Sequence, residues 1–327
     1  MIISQTPLRM SFVGGGSDLP AFYRKHGGAV VSTAIDKFVY IGVNKRFDDS
    51  IRVSYSRTEE VHTVAEIQHN LVREALRMLD IPGGIEITSI ADIPSKGSGM
   101  GSSSSFGVGL LHALHAYRSE YVAAEALGDE CCRLEIDRCG ERIGKQDQYA
   151  AAYGGFNFIR FHPDDTVTVT PIICGREVLA ELENWIMMFY TGITRRASVI
   201  LDSQTAAMEN DGRKQEVVKT MVRLAGQLRD ELQRNRLESF GEILHENWML
   251  KKQLADGISS PEIDEWYESA RSQGALGGKL LGAGAGGFLI FFVPPYRQPA
   301  VRQALSNLRQ MPFHFERQGS RITLFQP

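Results

Sequence analysis

The sequence predicts an α+β fold in two domains, on three observations. At 327 residues the chain is longer than one compact core usually accommodates and fits about two domains. Its first half mixes β-rich runs with segments of helical periodicity. Its second half opens on a strand, passes through three helices and returns to strand. The composition, 43% hydrophobic and 23% charged, is that of an ordinary globular protein.

Residues 28–45 are rich in Val, Ile, Phe and Tyr and read as a long strand with a bend; residues 51–55 and 85–90 read as further strands. Between these, Ile67, Leu71, Val72, Ala75, Leu76 and Leu79 recur at helical spacing, and Pro82-Gly83-Gly84 ends that helix. Residues 102–118 and 121–139 read as helices. Strands at 156–161 and 166–172 close a first domain over residues 1–175. The second domain, residues 176–327, begins with a strand at 185–190 and continues through helices near 214–234, 237–255 and 261–273. The last of these has a cap at Ser260, a first-turn Pro261 and a terminal Gly274. A strand at 288–293, a helix near 297–310 and one or two short strands finish the chain.

A net charge of −3 gives no reason to expect nucleic acid or an anionic membrane as partner. The paired basic residues Arg195-Arg196 and Lys251-Lys252 read first as solvated surface. The four cysteines, Cys131, Cys132, Cys139 and Cys174, form no C-x-x-C pair and read as buried free thiols of a reducing compartment. The N-terminus lacks the basic and apolar regions of a signal peptide, and no run of about 18 apolar residues offers a membrane span. The cytoplasm is the expected location.

Three glycine-rich segments carry the chemistry: Thr6 to Asp18 (TPLRMSFVGGGSD), Pro94 to Ser105 (PSKGSGMGSSSS) and Lys279 to Gly287 (KLLGAGAGG). In the second, glycines at alternate positions let the backbone approach a ligand and turn its N–H groups inward. The serines and apolar run that follow begin a helix, whose N-terminus suits phosphate. No Walker A pattern is present. Gly282, Gly284 and Gly287 fit G-x-G-x-x-G, but a strand follows them where a dinucleotide site needs a helix, which argues against a nicotinamide-dependent oxidoreductase.

In this order the three segments resemble the signature motifs of the GHMP kinases, and PSKGSGMGSSSS is similar to that family's P-x-x-G-S-G-L-G-S-S motif. Within the family, TPLRMSFVGGGSDLPAFY, GKQDQYAAAYGGFNFIRF and YTGITRRAS resemble the bacterial heptose 7-phosphate kinases. The chain departs from galactokinases in the first motif, where only Asp18 carries over. The resemblance implies two α+β domains with the active site between them: an N-terminal domain like domain 2 of ribosomal protein S5, and a ferredoxin-like C-terminal domain. It implies ATP and Mg2+ as cofactors, and phosphoryl transfer to the anomeric hydroxyl of a sugar phosphate. A fucose- or galactose-type 1-kinase is the alternative. A homodimer is compatible with this, and neither nucleic acid nor membrane is a partner. A non-catalytic sensor would have lost Asp147, which is present.

Asp147 matches the family's catalytic aspartate, expected to take or orient the proton of the attacking hydroxyl; the bland alternative is a helix N-cap. Arg9 would stabilise the transferred phosphoryl group or act on Asp147. Lys96, Gly97, Ser98, Gly99, Met100, Gly101, Ser102, Ser103 and Ser104 would form the nucleotide loop, supported by Gly284. Gly15, Gly16, Ser17 and Asp18 would bind the sugar. Arg195 or Arg196 would grip its distal phosphate, with Lys25, Lys37 and Lys96 as rivals. Ser103 matches the family's metal-ligating serine. Glu135 is expected as the carboxylate partner in preference to Glu141, because it lies farther upstream of Asp147.

Overall fold

The computed structural model describes residues 1–93, 97–194 and 197–326, leaving aside the side chains of 197–199, 207 and 210. It bears out the α+β expectation with two sheets. The larger has nine strands. Its centre is Gly28–Lys45, which pairs antiparallel with Ile2–Val13 along almost its whole length. The first half of this strand pairs on its other edge with Phe156–Phe161, and the second half with Ile85–Ala91. Where a bend is expected in 28–45, the pairing with Ile2–Val13 shifts register between Pro7 and Leu8, at the point where the strand changes partner. Ile51–Ser54 runs parallel to Ile85–Ala91 and the two are joined through the helix Asn70–Met78.

Residues 28–35 are all buried, as are residues 6–13. A strand that buries consecutive residues is covered on both faces, since its side chains alternate. Helices Ser102–Tyr117 and Gln146–Tyr153 pack on this pair, and so do Gly212–Gln233 and Phe240–Lys252 from the second half. The smaller sheet orders Arg309–Gln310, Ile186–Tyr190, Phe288–Phe292 and Gly277–Leu280. A strand therefore does precede Gly282, but it forms an antiparallel hairpin with Phe288–Phe292. The glycine-rich segment is the turn of that hairpin and not a strand-to-helix dinucleotide turn.

Several elements were not legible in the sequence. Ile2–Val13 is a strand running through the first motif, and helices Pro20–His26, Arg176–Trp185 and Ala197–Asn210 were not anticipated. The expected helix over 121–139 is an α-helix, Ala124–Cys132, continued by a π-helical stretch, Arg133–Arg138. The chain also turns back at its end. Phe315–Glu316 pairs with Ile35 and Ala34, and Arg321–Phe325 pairs with the start of Ile2–Val13, so the tail completes the first sheet. Cys131 and Cys132 are buried free thiols as expected; Cys139 and Cys174 are half-buried and free.

One apolar core joins the sheets. Phe240 stands between Phe12 of the large sheet, at a centroid distance of 5.3 Å, and Phe292 of the small sheet, at 4.8 Å. Aromatic pairs at this spacing add to the burial each ring makes alone. Because Phe12 lies three residues beyond Arg9 on the same strand, this contact also sets where the second half sits relative to the site. Phe240→Ala should cost about 3–5 kcal/mol of stability, measured by denaturant unfolding. A loss below about 1 kcal/mol would show that the two sheets are held by other contacts.

Candidate active site

A cleft of about 580 Å³ opens between the two halves. Its walls come from the first motif (Arg9, Gly16, Asp18), the serine-rich loop, the Glu135 and Asp147 region, and from Thr194, Leu201, Lys251, Gly282 and Ala283 in the second half.

Arg9 organises this cleft. It is 3% exposed, and its Nε and Nη2 donate to Oδ1 and Oδ2 of Asp147 at 2.7 and 2.9 Å. Its Nη1 donates to the carbonyl of Gly99 at 2.6 Å, and its backbone N–H to the carbonyl of Met100 at 3.2 Å. Of the two roles considered for Arg9, the geometry is that of a partner to Asp147. Asp147 is not the N-cap of its helix: Lys145 is, and its own side chain makes no cap. The Asp147 side chain remains 25% exposed.

The serine-rich loop leads into the helix Ser102–Tyr117, whose N-cap, Gly101, has φ of 72° and makes no side-chain cap. The first N–H groups of that helix are therefore open to an anion. Gly101 is needed for a second reason, since a Cβ there would lie 3.3 Å from the Arg9 and Asp147 side chains. Gly99 has φ of 72°, and its Cβ would stand 2.4 Å from the carbonyl oxygen of Leu281. Gly282 packs on Gly99 and Gly287 on Ser98 in the same manner. The third glycine segment thus backs the serine-rich loop, but through Gly282 and Gly287. Gly284, the residue expected there, stands against Ile258. Met100 is buried in the core and contributes its backbone, while Ser98 and Ser102 hydrogen-bond each other at 2.9 Å.

Glu135, on the π-helical stretch, is 1% exposed. Its carboxylate accepts from Ser103 Oγ at 2.8 Å, Ser104 Oγ at 2.7 Å and Gln148 Nε2 at 2.7 Å. Burial pushes its carboxyl above the ordinary range, opposed by these three hydrogen bonds. It has no cationic partner among the described residues. A buried carboxylate beside an exposed serine hydroxyl is a hard-oxygen donor set that suits magnesium. No group of three or more His, Cys, Asp or Glu side chains placed to hold a metal occurs among the described residues. Magnesium here would rest on Ser103, Glu135, water and phosphate oxygens. Glu141 also lines the cleft.

In the first motif, Asp18 is buried and accepts from the N–H of Gly16 at 2.9 Å, the N–H of Gln146 at 3.3 Å and Nε2 of Gln146 at 3.2 Å. Burial raises its carboxyl above the ordinary value, and the charge of Asp147 adds to this. Gly16 lines the cleft. Ser17 does not face it; its hydroxyl bridges the backbone of Ala29. Gly15 offers its carbonyl to Lys251 Nζ at 3.2 Å. Lys251 corrects the expectation of solvated surface, being 4% exposed on the cleft wall. It was missed, although Leu244, Trp248 and Lys251 share one helical face. Lys96, Arg195 and Arg196 lie outside the described residues. Lys37 is paired with Asp36 at 2.9 Å.

Comparison with known proteins identifies the family. The family description "GHMP kinases N terminal domain" matches residues 64–155, and "GHMP kinases C terminal" matches residues 228–309. The D-glycero-alpha-D-manno-heptose 7-phosphate kinase of Campylobacter jejuni is 30% identical over 319 residues, which are 93% of this chain and 93% of that protein. The chain belongs to the GHMP kinases. Two crystal structures carry the likeness through the fold. One, a D-glycero-D-manno-heptose 1-phosphate kinase from Bacteroides thetaiotaomicron, has a TM-score of 0.81 at 26% identity over 100% of both chains. The other, a putative sugar kinase from Campylobacter jejuni, has a TM-score of 0.80 at 28% identity over 98% of this chain and 97% of its own.

The protein is thus a sugar kinase of the GHMP family, a group of phosphotransferases that use ATP. No helix among its described residues is long and apolar enough to cross a membrane. In this kinase the serine-rich loop has little room to deform. Gly99→Ala places a methyl against the Leu281 carbonyl and in a backbone region that L side chains avoid. It should raise the KM for ATP at least roughly tenfold, the equivalent of about 1.4 kcal/mol, with the circular dichroism spectrum unchanged. Normal ATP binding by this variant would separate the loop from the nucleotide.

Proposed function

We propose that this GHMP kinase transfers the γ-phosphoryl group of ATP to the anomeric hydroxyl of D-glycero-D-manno-heptose 7-phosphate, giving the 1,7-bisphosphate that leads to nucleotide-activated heptose. The observation that carries the reading is the Asp147 carboxylate, gripped through both oxygens by Arg9 on the wall of the cleft that the serine-rich loop also lines. The identity to a heptose 7-phosphate kinase over almost the whole chain supports the choice of acceptor.

Phosphoryl transfer passes through a loose transition state, so catalysis is mostly positioning and charge stabilisation. The N–H groups of Gly97 to Ser104 and the helix that starts at Ser102 receive the nucleotide phosphates. Ser103 and Glu135 would hold magnesium, which when bound neutralises charge on the β- and γ-phosphates. Asp147 orients the acceptor hydroxyl and takes its proton late in the reaction. Arg9 fixes the carboxylate so that neither oxygen can swing away, and ties it to the loop through Gly99. The acceptor's distal phosphate is assigned to Arg195 or Arg196, the residues that follow Thr194 in the sequence.

A coupled ADP-release assay over heptose 7-phosphate, unphosphorylated heptose, galactose and fucose tests the acceptor. Heptose 7-phosphate should give the highest kcat/KM, and a higher value for galactose or fucose would move the protein to another branch of the family. Asp147→Asn keeps the shape of the side chain and removes its charge. Turnover should fall at least roughly a hundredfold, the low end for general-base catalysis, with ATP affinity little changed. The same substitution leaves the buried Arg9 guanidinium without a carboxylate, so stability should fall as well; turnover is therefore read well below the variant's Tm. Turnover within threefold of wild type would remove Asp147 from the chemistry.

A further inference from the structure

We propose that Lys251, which reaches the cleft from the second half of the chain, is a specificity-determining residue that reads hydroxyl oxygens of the acceptor sugar together with Asp18, and does not hold the acceptor's phosphate. The inference rests on the reading above that a sugar lies against Asp147.

Lys251 ends the buried face of the helix Phe240–Lys252 and points across to the first motif. Its Nζ lies 3.7 Å from where a Cβ on Gly15 or on Gly16 would stand. The ammonium thus lies in ordinary contact distance of the Gly15-Gly16 backbone at the cleft wall. Its one hydrogen bond among the described residues is to the carbonyl of Gly15 at 3.2 Å. An ammonium has three donors, so two remain for a ligand. Arg9 is the other cation among the described residues of the cleft wall, and its Nε, Nη1 and Nη2 are already engaged.

The groups around Lys251 decide what it can bind. Asp18 accepts three N–H donors and keeps lone-pair capacity on its carboxylate. Lys251 also feels the charges of Asp18, Asp147 and Arg9, and lies within the field of Lys279. A phosphate dianion only accepts hydrogen bonds, and here it would face the carboxylates of Asp18 and Asp147. A sugar hydroxyl donates and accepts at once. It can accept from Lys251 while donating to Asp18, so both charged groups at this corner of the cleft gain a partner.

Burial lowers the Lys251 ammonium to about 8, against the pull of Asp18 and Asp147. The donor form is therefore complete below that value and is lost as pH rises through it. If the ammonium holds the acceptor, kcat/KM for the sugar falls above about pH 8 in the wild-type enzyme, whereas a merely structural lysine imposes no such limb on the acceptor alone.

The test compares Lys251→Met with wild type on heptose 7-phosphate and on unphosphorylated heptose, with circular dichroism as the fold control. The variant should lose roughly ten- to a hundredfold in kcat/KM for both sugars alike, as expected for a charge-assisted hydrogen bond, with the KM for ATP within about twofold of wild type and the alkaline limb gone. A loss confined to the phosphorylated sugar would assign Lys251 to the phosphate and overturn the proposal. So would a loss in ATP binding, or no loss at all. If Lys251→Met does not fold, deoxy analogues of the sugar take its place with the wild-type enzyme. The analogue lacking the hydroxyl that Lys251 reads should show a lower kcat/KM and no alkaline limb, and retention of the limb by every analogue overturns the proposal. If the wild-type enzyme prefers another sugar, the acceptor assignment fails and the same comparison on that sugar still judges Lys251. A wild-type enzyme that phosphorylates no sugar overturns both.

Discussion

The buried guanidinium of Arg9 is the constraint on which the site depends. Through its side chain and its own N–H, Arg9 joins three elements distant in sequence: the first strand, the serine-rich loop at Gly99 and Met100, and the helix that carries Asp147. A charge taken this far from water is tolerated only if it is paired and its donors are filled. Asp147 fills two of them and the Gly99 carbonyl a third. The serine-rich loop and the Asp147 carboxylate are thereby held at a fixed separation. Removing Asp147 leaves the guanidinium buried and unpaired, a loss on the order of 3–5 kcal/mol in comparable settings. Chemistry and stability are not separable at this pair.

The serine-rich loop is held from behind as well. Its backbone lies so close to the hairpin turn after Leu280 that Gly99, Gly282 and Gly287 have no space for a Cβ. The glycines invite a reading as ligand contacts, and Gly101 does sit between Arg9, Asp147 and the helix N-terminus. Gly282 and Gly287 serve loop-to-loop contact between the two halves of the chain. Such contact lets the second half position the backbone of the serine-rich loop without adding a side chain to it.

The charges in the cleft are arranged in order. Glu135 is buried beside Ser103 with hydrogen bonds only, which suits a cation. Asp147 is neutralised by Arg9. Asp18 lies across from Lys251, which the second half of the chain supplies. Cationic, anionic and neutral corners therefore stand side by side in one cleft, matching a metal nucleotide at one end and a polyhydroxylated acceptor at the other.

Much of this was legible in the residues themselves. Gly28–Lys45, Phe156–Phe161 and the helix from Ser102 follow from β-branched runs, from periodicity and from glycine punctuation, all of which act between near neighbours in the chain. The motifs brought Arg9, Asp18, Ser103, Glu135 and Asp147 forward as site residues, and the structure gathers all five around one cleft. The sequence could not show that the tail returns to the first sheet, because an edge strand such as Arg321–Phe325 is defined by its partner 320 or so residues away and carries little pattern of its own. The lysine pair reads as surface, although Lys251 lies nearer than Lys252 to the helical face of Leu244 and Trp248. Both are lysines at the end of one helix, and only the packing of Trp248 and Leu244 inward turns the first into the cleft and leaves the second outside. The local sequence thus determined which residues are chemically equipped for phosphoryl transfer. The tertiary structure decided which of them meet, because burial, charge pairing and the contact of one glycine backbone with another exist only between segments that the fold brings together.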